Sequence, residues 1–275
     1  MSRFGCVLDR IPRTVALQPL YLRMQSVSLA GMNLDGAGAV SQSSGEEVAL
    51  LYLARHLRVT EPVVFDVGAH VGAYSARAIE LVGEGMVLHA FEPSAASFTK
   101  LRQNLGGLAS VRLHHKALGD VRGEAPLFED RPGSDIASLF AGAYSYWEQG
   151  PNIAARETVQ VARLDEVCAE LGISRINLLK LDVEGSELAA LRGGAHLIRN
   201  RAIDLIQFEF GVAAMGPRVF FRDLYELLNP HYRLHRIVHN GLAPIDRYDP
   251  VRCEVFSTSS NYLAVSRDVA VPLQP

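Results

Sequence analysis

The stretch VVFDVGAHVG, from Val63 to Gly72, decides the fold together with LHAFEP, from Leu88 to Pro93. The first stretch is a short apolar run that leads into a glycine turn, and the second is an apolar run that ends in an acid, Glu92. The residues between them, Tyr74 to Val82, have the apolar spacing of a helix. A strand, a glycine turn, a helix and a second strand ending in an acid together predict half of a mononucleotide-binding unit.

The same alternation continues along the chain and predicts a mostly parallel sheet with helices on both faces. The predicted parallel strands are Val63–Asp66, Met86–Phe91, Val111–His115, Asn177–Leu181 and Asp204–Phe210. The predicted helices are Val48–Leu57, Tyr74–Val82, Ala95–Leu105, Leu164–Leu171, Ser186–Leu191 and Val219–Leu228. Near the end, Tyr232–Val238 and Val255–Val265 predict an antiparallel pair at the sheet edge, and Asn240-Gly241 between them is a turn signal.

The domain organisation follows from the two stretches of sequence that lack this alternation of strands and helices. Residues 1–45 lack long periodicity and are interpreted as a lead-in to a single domain over residues 46–275. The alternation of strands and helices is also absent over residues 125–160. Because long irregular insertions are often functional, this segment is expected to be a substrate lid or wall. Its aromatic residues Tyr144, Tyr146 and Trp147 are expected to stack against an acceptor ring.

The composition is that of a globular protein rather than of a nucleic-acid or membrane protein. The chain has 275 residues, of which 48% are apolar, and its net charge of −3 gives no overall attraction to nucleic acid. No apolar run is long enough to span a bilayer, and the first residues lack the apolar core of a signal peptide. Cys6, Cys168 and Cys253 show neither metal-ligand spacing nor a disulfide framework. We therefore expect free thiols and a cytoplasmic location.

The glycine spacing separates two classes of ligand. A dinucleotide site uses G-x-G-x-x-G, whereas this turn reads Asp66-x-Gly68-x-x-x-Gly72, with His70 where a pyrophosphate would need a second close glycine. No phosphate-binding lysine follows, so a P-loop is excluded as well. The spacing suits a ligand without phosphates, such as S-adenosylmethionine (SAM), with Glu92 placed to accept hydrogen bonds from its ribose. The residues expected to bind this cofactor are Asp66, Gly68, Ala69, His70, Gly72, Tyr74, Ser75, Glu92, Ala117 and Leu118.

A second block, KLDVEGSE from Lys180 to Glu187, places three carboxylates at the end of a buried strand. Like charges so close disfavour one another, which argues for a function. We expect Asp182, Glu184 and Glu209, an acid inside an apolar strand, to form an acceptor side as base and hydroxyl-orienting groups. Alternatively, Asp182 and Glu209 would bind a divalent cation, with Mg²⁺ favoured by oxygen ligands. Glu187 has an equally good interpretation as a helix-start charge.

These motifs resemble the FkbM family of SAM-dependent methyltransferases. The resemblance rests on VFDVGAHVG (64–72), FEP (91–93), ALGD (117–120), RLD (163–165) and KLDVEG-x-E (180–187), over about residues 60–265. It implies a class I methyltransferase fold with a seven-stranded sheet, and O-methylation of a sugar, glycolipid or polyketide-type natural product. One departure is His70, where the family usually has asparagine.

Several alternatives remain open at this level. A nicotinamide-dependent oxidoreductase uses a similar sheet but needs the G-x-G-x-x-G fingerprint. A non-catalytic ligand-binding protein on the same fold would not need the three acids. The histidines His70, His114 and His115 are alternative bases. A homodimer would use the lead-in or the closing antiparallel pair.

Overall fold

The short apolar runs of the sequence form strands in the structure, a computed structural model that describes residues 11–34, 45–57, 59–83, 85–144, 152–257 and 260–269. The strands are β1 (Val63–Val67), β2 (Val87–Phe91), β3 (Val111–His114), β4 (Ala117–Leu118), β5 (Gly123–Glu129), β6 (Ala154–Ala162), β7 (Ile176–Leu181), β8 (Ile203–Phe210), β9 (Tyr232–Val238), β10 (Gly241–Pro244) and β11 (Ser260–Ser266). The α-helices are α1 (Gln18–Gly31), α2 (Val48–His56), α3 (Ala73–Val82), α4 (Ala95–Leu105), α5 (Leu164–Leu171), α6 (Glu187–Gly193), α7 (Ala195–Arg199), α8 (Phe221–Leu228) and α9 (Pro250–Cys253).

The parallel part of the main sheet has the strand order β3, β2, β1, β7, β8. In its centre, Asp66 of β1 lies level with Ala90 of β2 on one side and with Lys180 of β7 on the other. Helices cover both faces of these strands, which is why the strands are continuous apolar runs. Because parallel strands share one carboxyl edge, the glycine turn after β1 and the acidic block after β7 lie beside each other.

The far edge of the sheet is antiparallel. β11 pairs with β8 on one side and with β9 on the other, and the Asn240-Gly241 turn joins β9 to the short strand β10. The predicted α/β fold, with its mostly parallel sheet and antiparallel edge, is confirmed. Two details of the prediction were wrong. The described residues form eight strands in this sheet instead of seven, and the last strand begins at Ser260 instead of at Val255.

The insertion has more regular structure than its sequence suggests. Its two ends are β5 and β6, which pair antiparallel, and β4 joins β6 to form a separate three-stranded sheet. Of the nine residues of β6, only Val159 and Val161 are buried, so the strand lacks the apolar run that marks a core strand. Tyr146 and Trp147, which were expected to stack against an acceptor, lie outside the described residues.

The lead-in contains a helix that the sequence reading did not predict. No residue of α1 is buried, so the helix lacks the buried apolar stripe by which a surface helix is recognised. Within the described ranges, no helix is long and apolar enough to cross a membrane. Cys168 and Cys253 are buried free thiols, as expected, and Cys6 is outside the described residues.

Candidate active site

The glycine turn after β1 has a backbone that only particular residues can adopt. Gly68 has φ of +84° and Gly72 has φ of +92°, a region that side chains with a Cβ disfavour. A Cβ on Gly72 would also approach Leu101 and Leu105 of α4 to 2.8 Å. His70 lies between them with φ of +51°. Asparagine and histidine are among the residues that tolerate this region best, so the departure from the family's usual asparagine keeps the backbone turn.

Glu92, at the end of β2, is tied to this turn. Its Oε2 accepts a hydrogen bond from the amide of His70 at 2.8 Å, and its Oε1 accepts one from the amide of Ser94 at 2.8 Å. The side chain is buried, and this burial raises the pKa of Glu92 to about 7. Each carboxyl oxygen has further lone pairs, so the group can still accept hydrogen bonds from a ligand.

Asp66 supports the turn from inside the protein. The residue is fully buried, and its Oδ2 accepts a hydrogen bond from the hydroxyl of Ser75 at 2.6 Å. Burial raises the pKa of Asp66, and the ammonium of Lys180 opposes that effect. The structure thus connects β1 to helix α3 through Asp66 and Ser75, both of which were expected at the cofactor site.

A pocket opens at the carboxyl edge of the sheet. Of the residues expected to bind the cofactor, it is lined by Gly68, His70, Glu92, Ala117 and Leu118. Of the residues expected on the acceptor side, it is lined by Asp182 and Glu184. The other five expected cofactor residues are not part of its lining: Asp66, Ala69, Gly72, Tyr74 and Ser75. One pocket is therefore lined by members of both predicted groups, although their roles stay predictions.

Asp182 continues the line of β7 to the edge of the pocket. Its amide donates a hydrogen bond to the carbonyl of Val67 at 3.0 Å, which holds the acidic block against the glycine turn. Its Oδ2 accepts a hydrogen bond from Lys180 Nζ at 2.9 Å. The side chain is 27% exposed. Lys180 therefore holds this carboxylate, while the side chain remains partly accessible from the pocket.

Glu184 is held by the insertion. The hydroxyl of Tyr144 donates a hydrogen bond to its Oε2, and Ser138 Oγ donates one to its backbone oxygen at 2.7 Å. Burial, followed by the charge of Asp182, raises the pKa of Glu184 to about 8, and the Tyr144 hydrogen bond opposes this rise. Its φ of +49° is a strained conformation for a residue with a Cβ, of a kind that is concentrated at functional sites.

Two other acids of the sequence analysis have different surroundings. The carboxylate of Glu187 is buried and accepts hydrogen bonds from the amides of Val183, at 3.1 Å, and Gly185, at 3.0 Å. This supports its interpretation as a helix-start residue that organises the turn. Glu209 accepts a hydrogen bond from Asn261 Nδ2 at 3.2 Å. It lies at the end of β8 as predicted, but it is not part of the pocket lining.

Lys180 is the site residue that the sequence analysis missed. Its side chain is buried, and its Nζ lies near the carboxylates of Asp182, Glu46 and Asp66. Burial disfavours the ammonium, but these carboxylates together raise the pKa of Lys180 well above its usual range. A lysine inside the apolar run of a core strand is the signal that could have revealed it, because a buried lysine needs partners.

The alternative bases have other contacts. His114 pairs with His89 at 3.0 Å between ring nitrogens, and burial lowers the pKa of His114 to about 4. The ring of His115 stacks on Phe98. His70 lines the pocket, but its Nε2 lies 3.2 Å from the carbonyl of Gly133. Of these three histidines, only His70 lines the pocket that Asp182 also lines.

The metal alternative receives no support from the donor arrangement. Within the described part of the chain, no group of three or more His, Cys, Asp or Glu side chains is arranged to hold a metal ion. Asp182, one of the two expected ligands, already binds the ammonium of Lys180. The Mg²⁺ site at Asp182 and Glu209 therefore stays a prediction.

Comparison with known proteins identifies the family. The family model of the methyltransferase FkbM domain matches residues 66–234, more than half of the chain. The protein therefore belongs to the FkbM methyltransferase family, as its motifs suggested. This membership favours methyl transfer over the nicotinamide-dependent alternative.

Curated relatives match a part of the chain at modest identity. The chain is 27% identical over 146 residues to the 2-O-methyltransferase NoeI of Sinorhizobium fredii, which covers 50% of this chain and 59% of that protein. It is 32% identical over 154 residues to the 31-O-demethyl-FK506 methyltransferase FkbM of Streptomyces tacrolimicus, which covers 48% and 58%. In both cases the match spans less than two thirds of the relative's own length.

Solved structures resemble the chain at low sequence identity. A Streptococcus mutans protein crystallised in complex with SAH (S-adenosylhomocysteine) has a TM-score of 0.45 at 8% identity, over 81% of this chain and 97% of that one. A SAM-dependent O-methyltransferase from Thermotoga maritima has a TM-score of 0.39 at 12% identity, over 84% and 66%. Both scores are below 0.5, so neither likeness supports an argument about function.

Proposed function

We propose that the protein is a SAM-dependent O-methyltransferase that acts on a hydroxyl of a sugar, a glycolipid or a polyketide-type natural product. The observation that carries this proposal is the single pocket that joins Gly68 and Glu92 to Asp182 and Glu184. Methyl transfer needs the methyl donor and the acceptor oxygen in line within one site. The printed names of the two relatives, both of which are O-methyltransferases, agree with transfer to oxygen.

The cofactor side is the turn after β1 together with Glu92. When bound, SAM supplies a methyl group activated by its sulfonium. Glu92 would accept hydrogen bonds from the ribose hydroxyls, and its two amide donors fix the direction of its carboxylate. Ala117 and Leu118 offer an apolar wall for the adenine. Asp66 and Ser75 would act indirectly, by holding α3 against β1.

On the acceptor side, two carboxyl groups have different surroundings. Asp182 is the residue placed to act as the base, because its carboxylate is held by Lys180 and remains partly exposed in the pocket. Glu184 carries a proton at neutral pH, since its pKa is about 8. It would donate a hydrogen bond that orients the acceptor while Asp182 takes the hydroxyl proton.

The insertion supplies one wall of the acceptor side. Ser134, Asp135, Ala137 and Leu139 line the pocket. The hydrogen bonds of Tyr144 and Ser138 to Glu184 attach the segment to the acidic block. This mixed polar and apolar wall suits a hydroxylated acceptor with an apolar ring face.

The experiment is a cofactor-saturated screen with labelled SAM over sugars, glycolipids and macrolides, with and without EDTA. We expect label transfer to at least one acceptor; a loss of rate with EDTA would support the predicted Mg²⁺ site, and an unchanged rate would favour Asp182 as the base. Equilibrium dialysis with SAH against NAD is the companion measurement, and we expect SAH alone to bind. Binding of NAD instead would favour the oxidoreductase alternative, and SAH binding without transfer to any acceptor would favour the non-catalytic one.

The location and the assembly of the protein stay predictions. A cytoplasmic location and a homodimer built on the lead-in or the antiparallel edge agree with the sequence reading. Fractionation and sedimentation of the full chain would test them.

A further inference from the structure

Lys180 occupies an unusual place in the fold. It is 3% exposed and lies on the same face of β7 as Leu178, which packs in one core cluster with residues of α2 and α3. Its Nζ is 2.9 Å from Asp182 Oδ2, 3.6 Å from Glu46 Oε1 and 3.8 Å from Asp66 Oδ1. It also lies 4.7 Å from the ring centre of Tyr74, which places a cation over an aromatic face.

These contacts are not equivalent. Only the contact with Asp182 has the length of a hydrogen bond, whereas Glu46 and Asp66 lie at the longer distances of ion pairs. Asp66 already has Ser75 as a hydrogen-bond donor. The ammonium therefore has the carboxylates of Glu46 and Asp66 and the ring of Tyr74 as neighbours. Its short hydrogen bond goes to Asp182, the one carboxylate of the three that lines the pocket.

The neighbours of this cluster restrict its movement further. Tyr74 donates a hydrogen bond from its hydroxyl to Gln207 at 2.9 Å, and Gln207 donates one to Asn261 at 3.2 Å. Asn261 in turn donates to Glu209. Gln207 is fully buried and Asn261 almost so. A buried network in which each member has a partner favours a single arrangement of its side chains.

We propose that Lys180 is a positioning residue for the methyl transfer: its buried ammonium holds Oδ2 of Asp182, so that the other carboxyl oxygen faces the acceptor. The inference rests on the proposed function, because it assigns to Asp182 the role of base. Lys180 itself touches neither the pocket nor a reacting atom, and it acts through Asp182 alone.

The rival explanation is structural. Lys180 would then serve only to neutralise Asp66, whose Oδ1 has no hydrogen-bond partner among the described residues. Removing the lysine would leave an unpaired buried carboxylate and would destabilise the protein for that reason. The single variant Lys180→Met cannot separate these explanations if it fails to fold.

The decisive comparison is therefore between Asp66→Asn and the double variant Lys180→Met/Asp66→Asn. Asparagine can still accept the hydrogen bond from Ser75, and it removes the charge of the fully buried carboxylate, whereas Glu46, whose side chain is 17% exposed, keeps its charge in both variants. We expect both variants to fold, and we expect the affinity for SAH to be similar in the two variants. With the best acceptor of the screen, we expect kcat of the double variant to be at least about tenfold below that of Asp66→Asn, the size of loss typical of a supporting group.

Dependence on Asp182 is tested by adding Asp182→Asn to both variants. If Lys180 acts through Asp182, its removal should then lower kcat by less than about twofold, because residues that act as one unit are not additive. Lys180→Arg, which keeps the charge, should recover part of the lost kcat where Asp182 is intact and none where Asp182→Asn is present.

Failure of this inference and failure of the proposed function give different results. Equal kcat for Asp66→Asn and the double variant would show that Lys180 only neutralises Asp66. A further loss of similar size in the Asp182→Asn background would show that Lys180 acts elsewhere. If the wild-type protein methylates no acceptor of the screen, the proposed function fails, and the role of Lys180 fails with it.

Discussion

Gly68 and Asp182 lie so close together that a single carbon added to Gly68 would overlap the carbonyl oxygen of Asp182. The turn proposed to hold the cofactor and the block proposed to activate the acceptor thus pack directly on each other. Their contact is fixed by backbone atoms, including the hydrogen bond from the Asp182 amide to Val67. A change in either strand end should therefore affect the other.

Gly68→Ala should abolish SAH binding and destabilise the protein by more than about 3 kcal/mol. It combines a positive φ, which costs about 1–3 kcal/mol, with an overlap that requires the strands to separate. Gly83→Ala is a matched control, because Gly83 also has a positive φ, of +98°, but no atom lies within 4 Å of its added carbon. Chemical denaturation and calorimetric titration measure both effects, and equal costs for the two variants would contradict the close packing.

The affinity for SAH should rise with pH, by up to about tenfold between pH 6 and 8, because the ionised form of Glu92 is the stronger acceptor for ribose hydroxyls. The pKa of Glu92 is about 7, so this carboxyl group ionises in that range. In Glu92→Gln the affinity should be lower and this pH dependence should be absent. Glu187→Gln is the control, because the pKa of Glu187 is also about 7, but its carboxylate accepts hydrogen bonds from the turn after β7. SAH titrations of the three proteins at several pH values measure this dependence. If Glu187→Gln also loses it, the assignment to Glu92 is contradicted.

The stability of the protein without ligand should show the opposite pH dependence at Glu187. Burial raises the pKa of Glu187 from 4.5 to about 7, so between these values the native state holds a proton that the unfolded state has lost. Stability therefore falls as pH rises through this range, by up to about 3 kcal/mol from this residue. Glu187→Gln should show a smaller fall in urea unfolding, and Glu124→Gln, an exposed substitution on β5, should match the wild type. A wild-type stability that is flat from pH 5 to 7.5 would refute this.

Asp182→Asn should lower kcat by about 10²- to 10⁴-fold, the usual contribution of a general base, while SAH affinity changes by less than about threefold. The variant keeps the shape of the side chain but cannot accept a proton. Asp120→Asn, at an exposed position, is the control and should keep wild-type kcat. Full activity of Asp182→Asn, with an unchanged response to EDTA, would remove Asp182 from the acceptor side.

Tyr144→Phe should move the alkaline limb of the pH–rate profile to higher pH. The Tyr144 hydrogen bond opposes the rise in the pKa of Glu184, which is about 8, so its removal raises that pKa further. Activity that depends on protonated Glu184 should then persist to higher pH. Tyr248→Phe removes a comparable hydrogen bond to Glu254 and should leave the profile unchanged. An identical profile for all three proteins would mean that Glu184 does not titrate during catalysis.

Local patterns were enough for much of the fold. The helix Leu164–Leu171 and the strand Tyr232–Val238 have the predicted bounds, because apolar periodicity and turn residues act over short distances. β6 and α1 were missed, since one is mostly exposed and the other has no buried residue. The order of strands at the antiparallel edge depends on long-range pairing, which no local pattern encodes.

The sequence by itself determined the class of site, because Gly68 and Glu92 belong to a strand–turn–helix–strand unit whose chemistry is local. Only the tertiary structure decided the surroundings of the acids, on which their proposed roles depend. Glu184 meets Tyr144 across 40 residues of chain, and Lys180 gathers carboxylates from three separate segments. Burial and charge at such contacts set whether a carboxyl group keeps its proton, and both arise only when distant segments pack together.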